Sequence, residues 1–230
     1  MTLSGVELVR AKDEEQAASI VAAALAQAAR GGQTIVLTGG KTPRRAYELA
    51  AGREADWSGA SVWWGDERCV APEDHRSNYK LARDSLLDRL SAQPRETQRI
   101  RGELGAEEAA AEYDAKLRDV KLDLVLLGLG PDGHTASLFP GEPTLEERER
   151  RAIPAAAKIE PLVHRVTMTV PVLCFAPEVL FLVSGEAKAE AVERAFAHPP
   201  SSKTPASLIR SAGGRTRLVA DRAAVSRLRD

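Results

Sequence analysis

Leu122-Asp123-Leu124-Val125-Leu126-Leu127 runs straight into Gly128-Leu129-Gly130-Pro131-Asp132-Gly133-His134-Thr135-Ala136-Ser137-Leu138-Phe139-Pro140-Gly141, and this stretch decides the fold. A short Val/Leu run stopped by glycines reads as a buried strand of a parallel sheet. Ligands of open α/β sheets bind just beyond the carboxyl ends of the strands. The loop therefore sets a carboxylate, Asp132, and an imidazole, His134, where a small ligand would sit. The glycines, Gly130 among them, let backbone approach that ligand closely. Histidine is the side chain whose ordinary pKa allows proton transfer near neutrality.

A second segment follows the same logic. Thr34-Ile35-Val36-Leu37 is a short β-branched strand that enters Thr38-Gly39-Gly40-Lys41-Thr42-Pro43. Pro43 suits the first helical position and Thr42 the N-cap before it. Free N–H groups and the positive end of a helix then converge on one spot, with Lys41, Arg44 and Arg45 adding charge. A phosphate is the natural occupant; a plain glycine turn is the alternative. The spacing is neither that of a Walker A loop nor the Gly-x-Gly-x-x-Gly fingerprint.

The third constellation is Trp63-Trp64-Gly65-Asp66-Glu67-Arg68, followed by Ser77-Asn78. Arg68 has the planar fork that holds a phosphate or an oxyanion. An ion pair with Asp66 or Glu67 is the other reading. Asn78 either serves the site or begins a helix.

The remaining pattern alternates strands and helices. Strands are expected at 6–9, 34–37, 61–64, 122–127, 165–170, 179–183 and near 217–219. Helices are expected after Asp13, whose cap is supported by Gln16, and over 43–51, 77–90, 106–117 and 186–197. Residues 143–151 read as an exposed connection. The expected fold class is α/β: a mainly parallel, Rossmann-like sheet flanked by helices, with residues 1–230 forming one domain.

Composition bounds the partners. The 230 residues carry a formal net charge of −1, so no basic surface for nucleic acid is implied. No apolar run approaches the ~20 residues that span a bilayer, and the N-terminal segment carries charges where a signal peptide has its apolar core. Two cysteines, Cys69 and Cys174, without paired spacing suit a reducing cytoplasm and argue against a disulfide framework or a zinc site. Cys69, beside Arg68, has no sequence-local base to make it a nucleophile. His75, His164 and His198 show no metal-ligand spacing.

Taken together, these segments resemble the 6-phosphogluconolactonase family. The matching pieces are Thr38-Gly39-Gly40 with Thr42-Pro43, Trp64 with Asp66-Glu67-Arg68, Ser77-Asn78, Gly128 through Gly141, Arg165 to Thr169, and Gly185-Glu186-Ala187-Lys188. The resemblance implies a sugar-phosphate isomerase/deaminase-like fold and hydrolysis of 6-phospho-D-glucono-1,5-lactone with neither cofactor nor metal. The phosphorylated sugar lactone is then the expected partner of a monomer or small homo-oligomer. Lactone opening needs a water, a base and positive charge near the developing oxyanion. His134 is the expected base, oriented by Asp132. Arg68 is expected at the oxyanion or the phosphate. Gly39, Gly40, Lys41, Thr42, Asn78, Gly130, Arg165 and Lys188 are expected to bind substrate. Lys188 also reads as an ordinary exposed helix lysine. Lys41 departs from the family, which usually has a small hydroxyl residue there.

Two rivals remain. Glucosamine-6-phosphate deaminases are similar in fold and in the Asp-Gly-His loop, but carry a Glu before the Pro where this chain has Phe139; a phenyl ring cannot transfer protons. A non-catalytic sugar-phosphate sensor would keep the phosphate site without needing His134.

Overall fold

A computed structural model describes residues 2–3 and 5–228. In chain order its strands and α-helices are β1 (Thr2–Leu3), β2 (Val6–Ala11), α1 (Glu14–Arg30), β3 (Thr34–Leu37), α2 (Lys41–Arg53), β4 (Ser61–Trp64), β5 (Asp66–Arg68), α3 (Asn78–Ser85), β6 (Glu96–Gln98), α4 (Ala106–Leu117), β7 (Leu124–Leu127), β8 (Ala152–Ala155), β9 (Arg165–Met168), α5 (Val170–Phe175), β10 (Glu178–Val183), α6 (Ala189–Phe196) and β11 (Arg215–Asp221). Eight strands form one sheet in the order β1-β2-β11-β10-β7-β3-β4-β6. Every pairing in it is parallel except β1 with β2.

The central strands β3, β4, β7 and β10 are almost wholly buried, as continuous apolar runs in a parallel sheet require. Helix α1 buries an alanine-rich face built from Ala17, Ala18, Val21, Ala22 and Leu25, small enough for close packing. Its start is as expected: the Asp13 side chain accepts from the Gln16 amide at 2.8 Å. Gln16 Oε1 accepts in return from Lys12 N–H at 2.6 Å, one residue before the cap.

Several expectations are corrected. Thr42 is not the N-cap of α2. Gly40, at φ +102°, turns the chain into the helix early, so Lys41 and Thr42 are its first two residues and Pro43 its third. Pro43 still costs nothing there, because a first-turn amide has no intrahelical partner. The segment expected as one strand over 165–170 ends at Met168 and leaves the main sheet altogether. It forms a three-stranded antiparallel sheet, β5-β9-β8, that closes one side above the strand ends. The helix expected over 77–90 is α3, capped by Ser77 as expected, then a 3₁₀ turn at Leu87–Arg89. Residues 186–197 likewise split into a 3₁₀ turn, Glu186–Lys188, and α6. The 143–151 connection holds a 3₁₀ turn, Pro143–Glu146, that buries Leu145.

Candidate active site

The carboxyl ends of β3, β4, β7 and β10 open into a cavity of about 370 Å³, with Arg165 of β9 on its wall. Two buried tyrosines hold the ends of β3 and β4. Tyr47 of α2 takes both the N–H and the C=O of Thr38 (3.0 and 2.7 Å), and Tyr113 of α4 does the same for Trp64 (2.9 and 3.0 Å). Each hydroxyl satisfies backbone groups that would otherwise be buried unpaired where the ladder ends. Neither was anticipated from sequence; a tyrosine on the apolar face of a helix, needing a partner for its hydroxyl, is the available signal.

The loop after β7 is folded on itself. Gly130 N–H donates to His134 C=O at 2.8 Å, and Gly133 N–H to Gly130 C=O at 3.0 Å. A Cβ on Gly130 would lie 2.0 Å from His134 Nδ1, so only glycine leaves room for the imidazole. Ala136, with φ +48°, is the one non-glycine residue at positive φ among the described residues. Such geometry costs about 1–2 kcal/mol and clusters at functional sites.

Asp132 and His134 meet as expected. Nδ1 of His134 lies 2.5 Å from Asp132 Oδ1, which also accepts the His134 backbone N–H at 3.1 Å. Burial works to raise the Asp132 pKa. The hydrogen bond and charge of His134 outweigh it and hold the carboxyl below its usual range. A charged Asp132 fixes the proton on Nδ1 and leaves Nε2 as the free base. Asp132 itself stands behind the imidazole and does not line the cavity; the other ten expected site residues do.

The constellation after β4 is organised around two buried carboxylates. Asp66 Oδ1 accepts from Asn78 Nδ2 at 3.0 Å and Oδ2 from Ser137 Oγ at 2.6 Å. Asn78 Nδ2 donates also to Asp66 C=O at 2.9 Å. Its Oδ1 packs on Gly39, where a Cβ would stand only 1.8 Å away. Asn78 therefore both begins α3 and braces the glycine loop against Asp66. Glu67 collects four donors: the amides of Arg68, Asn78 and Tyr79 and the Ser77 hydroxyl, at 2.7–2.9 Å. Burial nevertheless pushes its pKa up to about 7.

Arg68 makes no ion pair with Asp66 or Glu67. One Nη donates to Arg76 C=O at 2.6 Å, and Nε is buried without a partner. Arg165, 2% exposed, donates from Nη2 to Ile159 and Pro161 carbonyls (3.3 and 3.2 Å) and also leaves Nε unpaired. Burial lowers its pKa, and Asp66 opposes that. Phe139, 1% exposed, lies between His134 and Arg165: its ring is 5.0 Å from the His134 ring and 5.4 Å from the Arg165 guanidinium. Lys188 is half-buried, its pKa lowered by burial and supported by Asp132. The Gly185 amide before its turn donates to Asp221 at 3.1 Å.

Burial and then Glu67 push the pKa of the Cys69 thiol up to about 11. Both cysteines are free. Trp63 and Trp64 are core residues. Among the described residues no group of three His, Cys, Asp or Glu could hold a metal ion, and no helix is long and apolar enough to cross a membrane.

The fold is a mainly parallel α/β sheet with an imidazole–carboxylate pair and several basic side chains at its strand ends. The family model described as glucosamine-6-phosphate isomerases/6-phosphogluconolactonase matches residues 10–218, and the chain belongs to that family. The 6-phosphogluconolactonase of Streptomyces coelicolor is 35% identical over 96% of this chain and 94% of its own. The human 6-phosphogluconolactonase is 37% identical over 84% of this chain and 77% of its own. A monomeric glucosamine-6-phosphate deaminase superposes with a TM-score of 0.85 at 19% identity, covering 96% of this chain and 99% of that one. The fold alone therefore does not separate the two activities.

Proposed function

We propose that this chain hydrolyses 6-phospho-D-glucono-1,5-lactone to 6-phospho-D-gluconate, the lactone-opening step of the oxidative pentose phosphate pathway, in the cytoplasm. The observation that carries the reading is the Asp132–His134 pair at 2.5 Å beside a cavity whose cations make no salt bridge among the described residues. Its named relatives in Streptomyces and human, alike over most of their length, support the same reaction.

The chemistry follows from the geometry. His134 Nε2 takes a proton from water as its oxygen bonds to the lactone carbonyl carbon. Negative charge gathers on the carbonyl oxygen and is met by Arg68. Collapse breaks the bond from that carbon to the ring oxygen. The imidazolium returns its proton to that oxygen, leaving a free hydroxyl and a carboxylic acid that ionises. Asp132, held ionised, stabilises the imidazolium in between. The phosphate sits on the Gly39-Gly40 loop, against the unpaired amides of Lys41 and Thr42 at the start of α2, with Lys41, Arg165 and Lys188 supplying charge.

Phe139 stands against the deaminase reading: a buried phenyl ring packed on His134 fills the position where a deaminase has its carboxylate. Turnover of freshly made lactone, followed by acid release and corrected for spontaneous hydrolysis, tests the proposal. Acid release well above background is expected. Ammonia release from glucosamine 6-phosphate, or tight binding of the lactone without turnover, overturns it.

A further inference from the structure

Ser184 follows β10 directly and lines the cavity, yet its hydroxyl is buried and has no hydrogen-bond partner. A buried hydroxyl is nearly always paired, and an orphan in a native structure needs an explanation. Two further orphans, Arg68 Nε and Arg165 Nε, belong to residues lining the same cavity. The β10 wall otherwise offers little polarity. Leu182 and Val183 are apolar, and the Gly185 amide is committed to Asp221. Lys188, four residues on, is a half-buried cation with no carboxylate in salt-bridge contact among the described residues. A hydroxyl without a partner and an ammonium in no salt bridge, on an otherwise apolar wall, suit an anionic oxygen. The only formal charge on the lactone proposed above is its phosphate.

Resting on that reading, we propose that Ser184 is a specificity-determining residue whose hydroxyl donates to a phosphate oxygen of the substrate, beside Lys188. The phosphate is then gripped from two sides, by the start of α2 and by the end of β10.

The proposal has a signature that a structural role lacks. An unpaired buried hydroxyl costs the free protein stability, so its removal should not lower the melting temperature. Ser184→Ala should hold or raise the Tm of the free protein. It should reduce kcat/KM for the phosphorylated lactone by about 10- to 100-fold, the worth of a hydrogen bond to a charged group. Unphosphorylated glucono-δ-lactone should be turned over as before. The Tm rise induced by 6-phosphogluconate should shrink in Ser184→Ala and return in Ser184→Thr, which keeps the hydroxyl. A fall in the Tm of the free protein, an equal loss on both lactones, or no loss on either would overturn the assignment. If the unaltered protein turned over neither lactone, the lactonase reading would fall, while the 6-phosphogluconate Tm shift would still decide the role of Ser184.

Discussion

The sheet carries a cavity at each end, and the two differ in what their polar groups are doing. The one at the amino ends of β3, β7, β10 and β11 is lined by Gln33, Asp123, Pro177, Glu178, Gly214 and Arg215. Its lining charges are paired within the protein, although Arg217, which shares Glu178, keeps a buried Nε without a partner. Asp123 accepts the Thr34 amide at 2.8 Å, and Glu178 pairs with Arg215 at 2.7 Å and with Arg217. In the cavity at the carboxyl ends, the lining residues Arg68, Arg165 and Ser184 keep unpaired buried atoms. The difference lies in the lining: no lining residue of the amino-end cavity has an unpaired buried side-chain atom, and three of the carboxyl-end cavity do. The amino end spends its charges on folding. On the proposed reading, the carboxyl end holds them for a ligand.

The sharpest way to test that contrast is to remove the base. His134→Ala should lower kcat by about 10²–10⁴-fold, the usual contribution of a positioned acid–base group, with little change in Tm. Normal turnover by a folded variant would remove His134 from the mechanism. Gly39→Ala comes next. The added Cβ would meet Asn78 Oδ1, and Asn78 cannot yield without breaking its hold on Asp66. A displacement of that size should cost about 10²-fold in kcat/KM. Gly40 is a different case: a Cβ there meets nothing closer than Pro43 Cδ at 3.9 Å, so its substitution acts through the positive φ alone. Measuring Gly39→Ala and Gly40→Ala side by side separates crowding from strain.

Much of the working end was legible in the sequence for one reason: its signals are local. A Val/Leu run stopped by glycines, an Asp two residues before a His, and a strand-loop-helix all lie within a few residues, and the structure brings Gly39, Gly40, Arg68, His134, Arg165 and Lys188 to one cavity. What failed was long-range or conformational. The small sheet pairs Asp66–Arg68 with Arg165–Thr167, about a hundred residues away, and no local pattern announces it. Thr42 looked like a better cap than Gly40 because side-chain preference is visible in a sequence and a φ of +102° is not. Asn78 had two open readings because its contact with Gly39 exists only in the folded chain. Ser184 went unnoticed because an unpaired hydroxyl can be recognised only after every other partner is placed.

Two smaller effects sharpen the contrast from either end. Glu178→Ala strips the counter-ion from Arg215 and Arg217 at the amino end. It should destabilise the protein by about 1 kcal/mol in denaturant melts and leave kcat/KM unchanged. A loss of activity at constant stability would mean that this cavity also serves the reaction. Lys41→Ser restores the residue type usual in the family. Lys41 is exposed, and an exposed charge contributes up to about 1 kcal/mol, so KM should rise by no more than about five-fold. That rise should fade at high salt, because exposed charge is screened. A larger, salt-independent rise would make Lys41 a principal phosphate ligand in place of the backbone amides.

The most direct test of the central claim is a crystal structure with 6-phosphogluconate bound. The account predicts the product in the cavity at the carboxyl ends of β3, β7 and β10. Its carboxylate should lie near His134 Nε2 and Arg68, and its phosphate between the start of α2 and Ser184 with Lys188. Product bound at the amino-end cavity, or bound at the carboxyl end with Arg68, Arg165 and Ser184 still unpaired, would contradict it.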